Sequence, residues 1–140
     1  MARQLSHIPR TLEFLRGMGM MSEKVEHWNP YGRRPDSKGE RKGPPGIRQD
    51  LFGFIDIISV DSVRGVVGVQ VCGQTGFADH IRKITDECRD SALQWLGAPK
   101  TEIWLVSWRK RKIKRGGKAY KWTPKIHVFS KEDFAEEVAQ

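Results

Sequence analysis

Apolar positions near the start of the chain recur at the spacing of a helix. Residues 8–18 are predicted to form this helix, which ends at the glycines that follow. Its expected apolar stripe consists of Ile8, Leu12 and Leu15. Residues 21–28 alternate loosely between polar and apolar types, which predicts a strand. Residues 29–49 are rich in proline, glycine, arginine and lysine and contain almost nothing to bury, so a basic flexible loop is expected there.

Two nearly continuous apolar runs then predict a hairpin of strands. They span residues 50–60 and 65–73, and a short polar segment separates them. Strands covered on both faces have this composition. A hairpin centred on Val63 would place Asp56 directly opposite Gln70, with the two side chains on one face and their Cβ atoms roughly 4.5–5.5 Å apart.

The second half of the chain predicts a helix followed by two strands. Residues 77–96 form the clearest helical pattern, and residues 102–108 and 122–129 are predicted strands. The expected core stripe of the helix is Phe77, Ile81, Ile84, Cys88, Ala92 and Trp95. Residues 109–121 form a basic hairpin tip that turns at two glycines. Ser130 is expected to cap a short final helix.

The order of these elements predicts an α/β fold with a mixed β-sheet flanked by helices. A length of 140 residues favours one domain over residues 1–140. The net charge of +8 favours partners that are polyanions, nucleic acid first and an anionic membrane second. No apolar run approaches the ~18 residues that span a bilayer, and no secretion signal is evident, so a cytoplasmic protein without membrane association is expected. Cys72 and Cys88 are expected to be reduced.

Asp56 and Gln70 are the main candidates for site chemistry. A carboxylate facing an amide oxygen across two strands is a suitable pair of ligands for a hard divalent cation. The alternative for Asp56 is a structural salt bridge, since a buried carboxylate needs a partner. The alternative for Gln70 is hydrogen bonding to neighbouring backbone.

The arrangement of these residues resembles the PD-(D/E)XK, or restriction-endonuclease-like, nuclease superfamily. The resemblance covers roughly residues 8–110 and rests on a helix, a strand, Asp56 followed across a hairpin by Gln70, Val71 and Cys72, and a second helix. The stretch IRQDLFGFIDII, followed by VQV and a helix with an Arg-Lys pair, is similar to small phage-encoded members and to Holliday junction resolvases. The resemblance implies an αβββαβ core, Mg²⁺ or Mn²⁺ as cofactor, DNA as substrate with branched DNA included, and a homodimer.

The superfamily pattern is Asp followed by Glu-x-Lys, and this chain departs from it twice. Gln70 occupies the glutamate position and Cys72 the lysine position. By the resemblance, Asp56, Gln70 and the carbonyl of Val71 would hold the metal. Lys83 is the candidate for the missing cation. The further candidates are Arg82 and Lys110 as the cation, and Asp50, Glu13 and Glu26 as an additional acid.

Two basic elements are candidates for phosphate contact. The loop contributes Arg33, Arg34, Arg41, Lys42 and Arg48, and the hairpin tip contributes Arg109, Lys110, Arg111, Lys112, Lys114, Arg115 and Lys118. Tyr120 and Trp122 beside the tip are expected either to stack on exposed bases or to pack over the sheet. The leading hypothesis is a metal-dependent DNA endonuclease. The alternatives are a nuclease-like fold that has lost catalysis and binds nucleic acid or a host protein, and a basic RNA-binding protein.

Overall fold

The computed structural model describes residues 7–31 and 46–135. The helices are α1 His7–Gly17, α2 Phe77–Arg82 and α3 Arg89–Gly97, with a π-helical turn at Lys83–Glu87 and 3-10 turns at Gln74–Gly76 and Lys131–Phe134. The strands are β1 Met21–Lys24, β2 His27–Asn29, β3 Ile47–Gln49, β4 Ile57–Asp61, β5 Gly65–Gly73, β6 Thr101–Lys112 and β7 Tyr120–Val128.

Five of the strands form one mixed sheet in the order β1-β4-β5-β6-β7. β5 and β6 are parallel, and the other neighbouring pairs are antiparallel. The parallel pair is joined by α2 and α3, as a crossover connection requires. β2 and β3 form a separate two-stranded sheet. The predicted α/β class with a mixed sheet is therefore confirmed.

The two faces of the sheet bury different side chains because neighbouring residues of a strand point to opposite faces. One face packs under α1, whose Leu15 is fully buried against Val69, Val106 and Trp108. The Trp108 indole also donates to the Thr11 hydroxyl at 2.8 Å, which fixes α1 on β6. Ile8 and Leu12 pack against the same cluster, so the predicted stripe of the first helix is confirmed.

The opposite face packs under α2 and α3. Ile84 and Ala92 are fully buried against Ile103 and Leu105 of β6. The other members of the predicted stripe, Phe77, Ile81, Cys88 and Trp95, are partly buried against the same cluster. The single helix expected over residues 77–96 is interrupted by the π-helical turn, which the apolar spacing does not signal.

Three other predictions of secondary structure are corrected. Residues 21–28 form two short strands because the chain bends between Lys24 and His27. The first half of the 50–60 run is a turn in which Phe52 and Gly53 have positive φ angles, and β4 begins only at Ile57. The loop expected over residues 29–49 contains β3, while residues 32–45 lie outside the described part of the chain.

The hairpin at the end of the chain agrees largely with its prediction. β6 continues through Lys112 and pairs with β7. Part of the predicted basic tip is therefore paired β-strand, and the rest is turn. Gly116 has a positive φ at the turn. Ser130 caps the last 3-10 turn through reciprocal hydrogen bonds with Asp133.

Replacing Leu15 by alanine is expected to lower the free energy of unfolding by about 2–5 kcal/mol, because a fully buried leucine leaves a cavity. Met21→Ala is the control, since Met21 is 70% exposed, and should change stability by less than about 0.5 kcal/mol. Urea denaturation of the three proteins measures both effects. Equal losses for the two variants would contradict the packing of α1 described above.

Candidate metal centre

Main-chain hydrogen bonds fix the position of Asp56 immediately before β4. Its N–H donates to the carbonyl of Val69 at 2.9 Å. Its own carbonyl accepts from the N–H groups of Val25 and Glu26 at 2.8 and 3.1 Å. Three segments of the chain therefore meet at Asp56, namely β5, the β1–β2 connection and the start of β4.

The side chain of Asp56 is buried, with 2% of its residue surface exposed. Oδ2 accepts a hydrogen bond from Gln70 Nε2 at 2.6 Å and another from the N–H of Val71 at 2.8 Å. The expected approach of Asp56 and Gln70 on one face is thus present in the structure. The donors to the Asp56 carboxylate are an amide and a main-chain N–H, both neutral. The salt bridge considered from sequence is therefore not what satisfies this buried carboxylate.

Two further carboxylates converge on Asp56. One oxygen each from Glu26, Asp50 and Asp56 lies within 4.8 Å of the others. Glu26 lies near Asp56 because the β1–β2 connection is hydrogen-bonded to the main chain of Asp56. Asp50 lies near Asp56 because β3 leads directly into the turn before β4. Glu26 also pairs with Arg48 at 3.5 Å. The cluster therefore comes from three separate stretches of sequence.

A cation of the second helical region reaches the same cluster. Lys83, at the start of the π-helical turn, places Nζ 3.3 Å from Oδ2 of Asp50. The other candidates point elsewhere: Arg82 pairs with Asp79 at 3.4 Å, the Lys110 ammonium lies 5.2 Å from the ring centroid of Trp122, and Glu13 is exposed on α1. Of the three cations proposed from sequence, Lys83 is therefore the one that lies beside the acidic cluster.

The electrostatics of the cluster favour a bound cation. Burial, with a smaller contribution from the neighbouring carboxyl of Asp50, raises the pKa of Asp56 to about 8, and the Val71 N–H opposes the rise. The native metal-free protein thus holds a proton that an unfolded chain releases near pH ~4. Its stability consequently falls as the pH rises from about 4 towards 8. A divalent cation would replace this proton and stabilise the ionised form.

The residues present fit a hard divalent ion. Three carboxylates offer only oxygen ligands, which suit Mg²⁺ or Mn²⁺. Gln70 Oε1 is buried and has no hydrogen-bond partner among the described residues, so it is an oxygen available for a ligand. Since N–H and C=O of a strand residue point to the same neighbouring strand, the carbonyl of Val71 faces the Asp56 side of β5. The Cys72 thiol lies two residues from Gln70, and burial raises its pKa, which keeps it neutral.

These residues line an open cleft of about 500 Å³, here called the metal cleft. Its lining is His7, Ile8, Pro9, Leu12, Lys24, Glu26, Arg48, Asp50, Asp56, Gln70, Val71, Cys72, His80 and Lys83. His7 and Lys24 have no role predicted from sequence, and Arg48 was predicted only as a phosphate contact of the basic loop. The signal for Arg48 is its position two residues before Asp50, but only the β2–β3 pairing brings it to the cleft.

The two histidines of the metal cleft present different nitrogens. His7 Nδ1 lies 2.8 Å from the guanidinium of Arg10, which can only donate, so His7 Nδ1 accepts and Nε2 carries the proton. Burial lowers the pKa of His7, and Arg10 adds to this, which favours the neutral ring. His80 Nδ1 lies 2.7 Å from the carbonyl of Gly76, which can only accept, so Nδ1 carries the proton and Nε2 of the neutral ring is an acceptor.

The basic candidates divide by location. Arg33, Arg34, Arg41 and Lys42 lie outside the described residues, and Arg48 lies at the metal cleft. Lys110, Arg111, Lys112, Lys114, Arg115 and Lys118 are exposed or partly exposed on the β6–β7 hairpin, and Arg109 is partly buried at its base. Trp122 packs over the sheet, with the Arg10 guanidinium 4.1 Å from its ring centroid, whereas Tyr120 is 56% exposed. Both cysteines are free thiols.

Mn²⁺ is expected to bind more tightly as the pH rises, by up to about tenfold per unit between pH ~6 and ~8, because the ion must displace the proton of Asp56. Titration calorimetry in two buffers of different ionisation enthalpy measures both the affinity and the released proton. Asp56→Asn should abolish the proton release and weaken binding. Asp79→Asn, which removes an exposed acid on α2, should retain both. An affinity independent of pH would contradict the assignment of Asp56 as a ligand.

Comparison with known proteins gives no assignment of function. No protein-family model, curated protein or solved structure matches this chain. Within residues 7–31 and 46–135, no helix has the length and apolar character needed to cross a membrane. What the protein does is therefore inferred from the residues and geometry of the metal cleft.

Proposed function

We propose that this protein is a metal-dependent endonuclease that hydrolyses phosphodiester bonds in DNA. The observation that carries the proposal is the convergence of Glu26, Asp50 and the buried Asp56 beside Lys83, in a chain of net charge +8. A basic surface attracts a polyanion, and a carboxylate cluster within an open cleft would otherwise repel it. A divalent cation held by these acids would resolve this conflict, because it would supply positive charge for the phosphate.

Each residue of the metal cleft has a role in this proposal. Asp56 and Gln70 would hold Mg²⁺ or Mn²⁺, together with Asp50, Glu26 and the carbonyl of Val71. When bound, the ion polarises the scissile phosphate and lowers the pKa of a coordinated water. The acids contribute the negative charge that the amide of Gln70 lacks.

The cleft also contains a cation and a base suited to the remaining steps. Lys83 Nζ, paired with Asp50 in the structure, would stabilise the negative charge that develops on the phosphate. His80 Nε2 would accept the proton of the attacking water, because the Gly76 carbonyl holds its other nitrogen as a donor. The water oxygen would then bond to phosphorus as the P–O bond to the leaving oxygen breaks, and the leaving oxygen would take up a proton from solvent.

The order of elements supports the kinship inferred from sequence. α1, β1, β4, β5, the α2–α3 region and β6 follow each other in the αβββαβ order of the restriction-endonuclease-like core, with β2 and β3 inserted. Membership in the PD-(D/E)XK superfamily is thus part of the proposal. The same kinship implies a homodimer that cuts branched DNA symmetrically.

Cleavage of a labelled four-way junction or duplex in Mn²⁺ tests the proposal. Asp56→Asn is expected to lower the cleavage rate at least about 100-fold because it removes a ligand of the ion, and Lys83→Gln by a similar factor because it removes a cation that stabilises the transition state. Asp79→Asn should cut at the wild-type rate, since this exposed acid lies outside the metal cleft. Full activity of Asp56→Asn would refute the proposed site.

DNA affinity is expected to depend on the hairpin cations. The double variant Arg111→Gln/Lys112→Gln should bind duplex DNA more weakly. The slope of log K against log salt should become shallower by about 0.9 for each phosphate that the variant no longer neutralises. Arg89→Gln/Lys131→Gln is the charge-matched control outside the hairpin. Fluorescence anisotropy over a range of salt concentrations distinguishes the two pairs, and identical slopes would exclude the hairpin from the DNA interface.

A second candidate function is a nuclease-like fold that binds nucleic acid without cutting it. It is favoured by the Gln70 amide, whose nitrogen donates to Asp56, and by Lys83, which already neutralises Asp50. This candidate gives salt-sensitive DNA binding without measurable Mn²⁺ affinity. Calorimetric binding of Mn²⁺ together with cleavage would exclude it.

A further inference from the structure

Phe52 occupies a backbone conformation that its side chain disfavours. It has a φ angle of 56°, and Gly53 beside it has a φ of 83°. The turn is closed by a hydrogen bond from the Gly53 N–H to the Asp50 carbonyl at 3.1 Å and by the pairing of Leu51 with Ile55. A bulky residue in the left-handed region is a conformational outlier. Glycine or asparagine would adopt the same backbone conformation at a lower energetic cost.

The side chain of Phe52 is also exposed, with 60% of the residue surface accessible to solvent. Neither the conformation nor the burial of this residue therefore favours phenylalanine over a smaller polar residue. Energetically unfavourable conformations of this kind concentrate at ligand sites. The position of Phe52, two residues after Asp50 of the metal cleft, agrees with such a role.

A second space of about 550 Å³ connects Phe52 with the metal cleft. Phe52 lines it together with Arg48, Asp50 and Lys83, and these last three also line the metal cleft. The two spaces are therefore neighbours that share these three residues. The cationic groups of Arg48 and Lys83 suit the phosphate of a strand that passes from one space to the other.

On its other side Phe52 borders an apolar space of about 420 Å³. Trp95 also lines it, with the ring centroids of Phe52 and Trp95 6.3 Å apart and the rings inclined at 60°. The Trp95 indole is fixed by a hydrogen bond to the Glu102 carbonyl at 2.9 Å. Ser91 and Gln94 also line the space and supply polar groups. An exposed aromatic ring with polar groups beside it is the chemistry that receives a nucleobase.

We propose that an unstacked nucleobase of the bound DNA strand occupies this space and stacks on Phe52, while its phosphate lies against Arg48 and Lys83. The inference rests on the proposed function and names its substrate class: DNA with an unpaired or readily unstacked nucleotide beside the bond to be cut. A continuous duplex must first unstack a base to fit, so it binds more weakly than a bulged or branched one.

The test compares the affinities of a duplex and of the same duplex with a single-nucleotide bulge, measured by anisotropy in Ca²⁺, a hard cation for the same oxygen ligands, with a gel to confirm that the DNA stays uncut. The wild type is expected to prefer the bulged DNA. Phe52→Ala should lower affinity for the bulged DNA about 5- to 150-fold, equivalent to about 1–3 kcal/mol of stacking free energy, and leave duplex affinity unchanged. Phe52→Trp should restore the preference. A 2-aminopurine base in the bulge should be quenched on binding only when residue 52 is aromatic.

Val63→Ala is the control, since Val63 is an apolar residue of another turn with 84% exposure, and it should keep the preference for bulged DNA. Thermal unfolding shows whether the Phe52 variants fold, and Phe52→Asn should melt a few degrees higher than the wild type because the backbone strain is relieved. Equal affinity of the wild type for both DNAs, or an unchanged preference in Phe52→Ala, would overturn the base site alone. Binding to neither DNA would overturn the proposed function and the base site together.

Discussion

The structure around the metal cleft depends on the main-chain hydrogen bonds of Asp56. Its N–H is bound by Val69, and its carbonyl by the N–H groups of Val25 and Glu26. These bonds join three segments that are distant in sequence and fix the main chain of Asp56, while Gln70 and the Val71 N–H hold its buried carboxylate. Burial of Asp56, with a smaller contribution from the neighbouring carboxyl of Asp50, raises its pKa and favours the protonated form. Because the ionised carboxylate is unfavourable in the free site, a bound cation stabilises it strongly.

The sheet places this confined acid where ligands can reach it. β5 and β6 are parallel, and the chain leaves β5 at Gly73 to enter α2. In α/β sheets, the crevice beyond the carboxyl ends of the strands is the usual position of a binding site. Here α1 closes one side of the crevice through His7, and α2 with the turn that follows closes the other through His80 and Lys83. The apolar faces of the same helices hold the core, so packing and site geometry depend on the same elements.

The extent to which the sequence predicts this arrangement follows from the range of the interactions involved. Asp56 and Gln70 can be paired from sequence because a hairpin fixes its register through a nearby turn. Lys83 is a candidate through the superfamily resemblance, and helical spacing, which is equally local, places it away from the apolar stripe of its helix. Glu26 is only one of several candidate acids in the sequence, because its place depends on the bend between β1 and β2. The apolar side chains of the 50–53 turn predict a strand, and nothing in that composition reveals the left-handed conformation of Phe52.

The two departures from the superfamily pattern, Gln70 and Cys72, each change the charge of the metal cleft. If the proposed kinship holds, the amide at Gln70 removes one negative charge and the thiol at Cys72 removes one positive charge, since the raised pKa of Cys72 keeps the thiol neutral. Asp50 and Lys83 restore one charge of each sign at the same cleft, 3.3 Å apart. Under the proposed function, acid and cation are therefore supplied by the turn before β4 and by the helix after β5 instead of by β5 itself. The chemistry required of the site constrains the position of each charge in space and leaves open which element carries it.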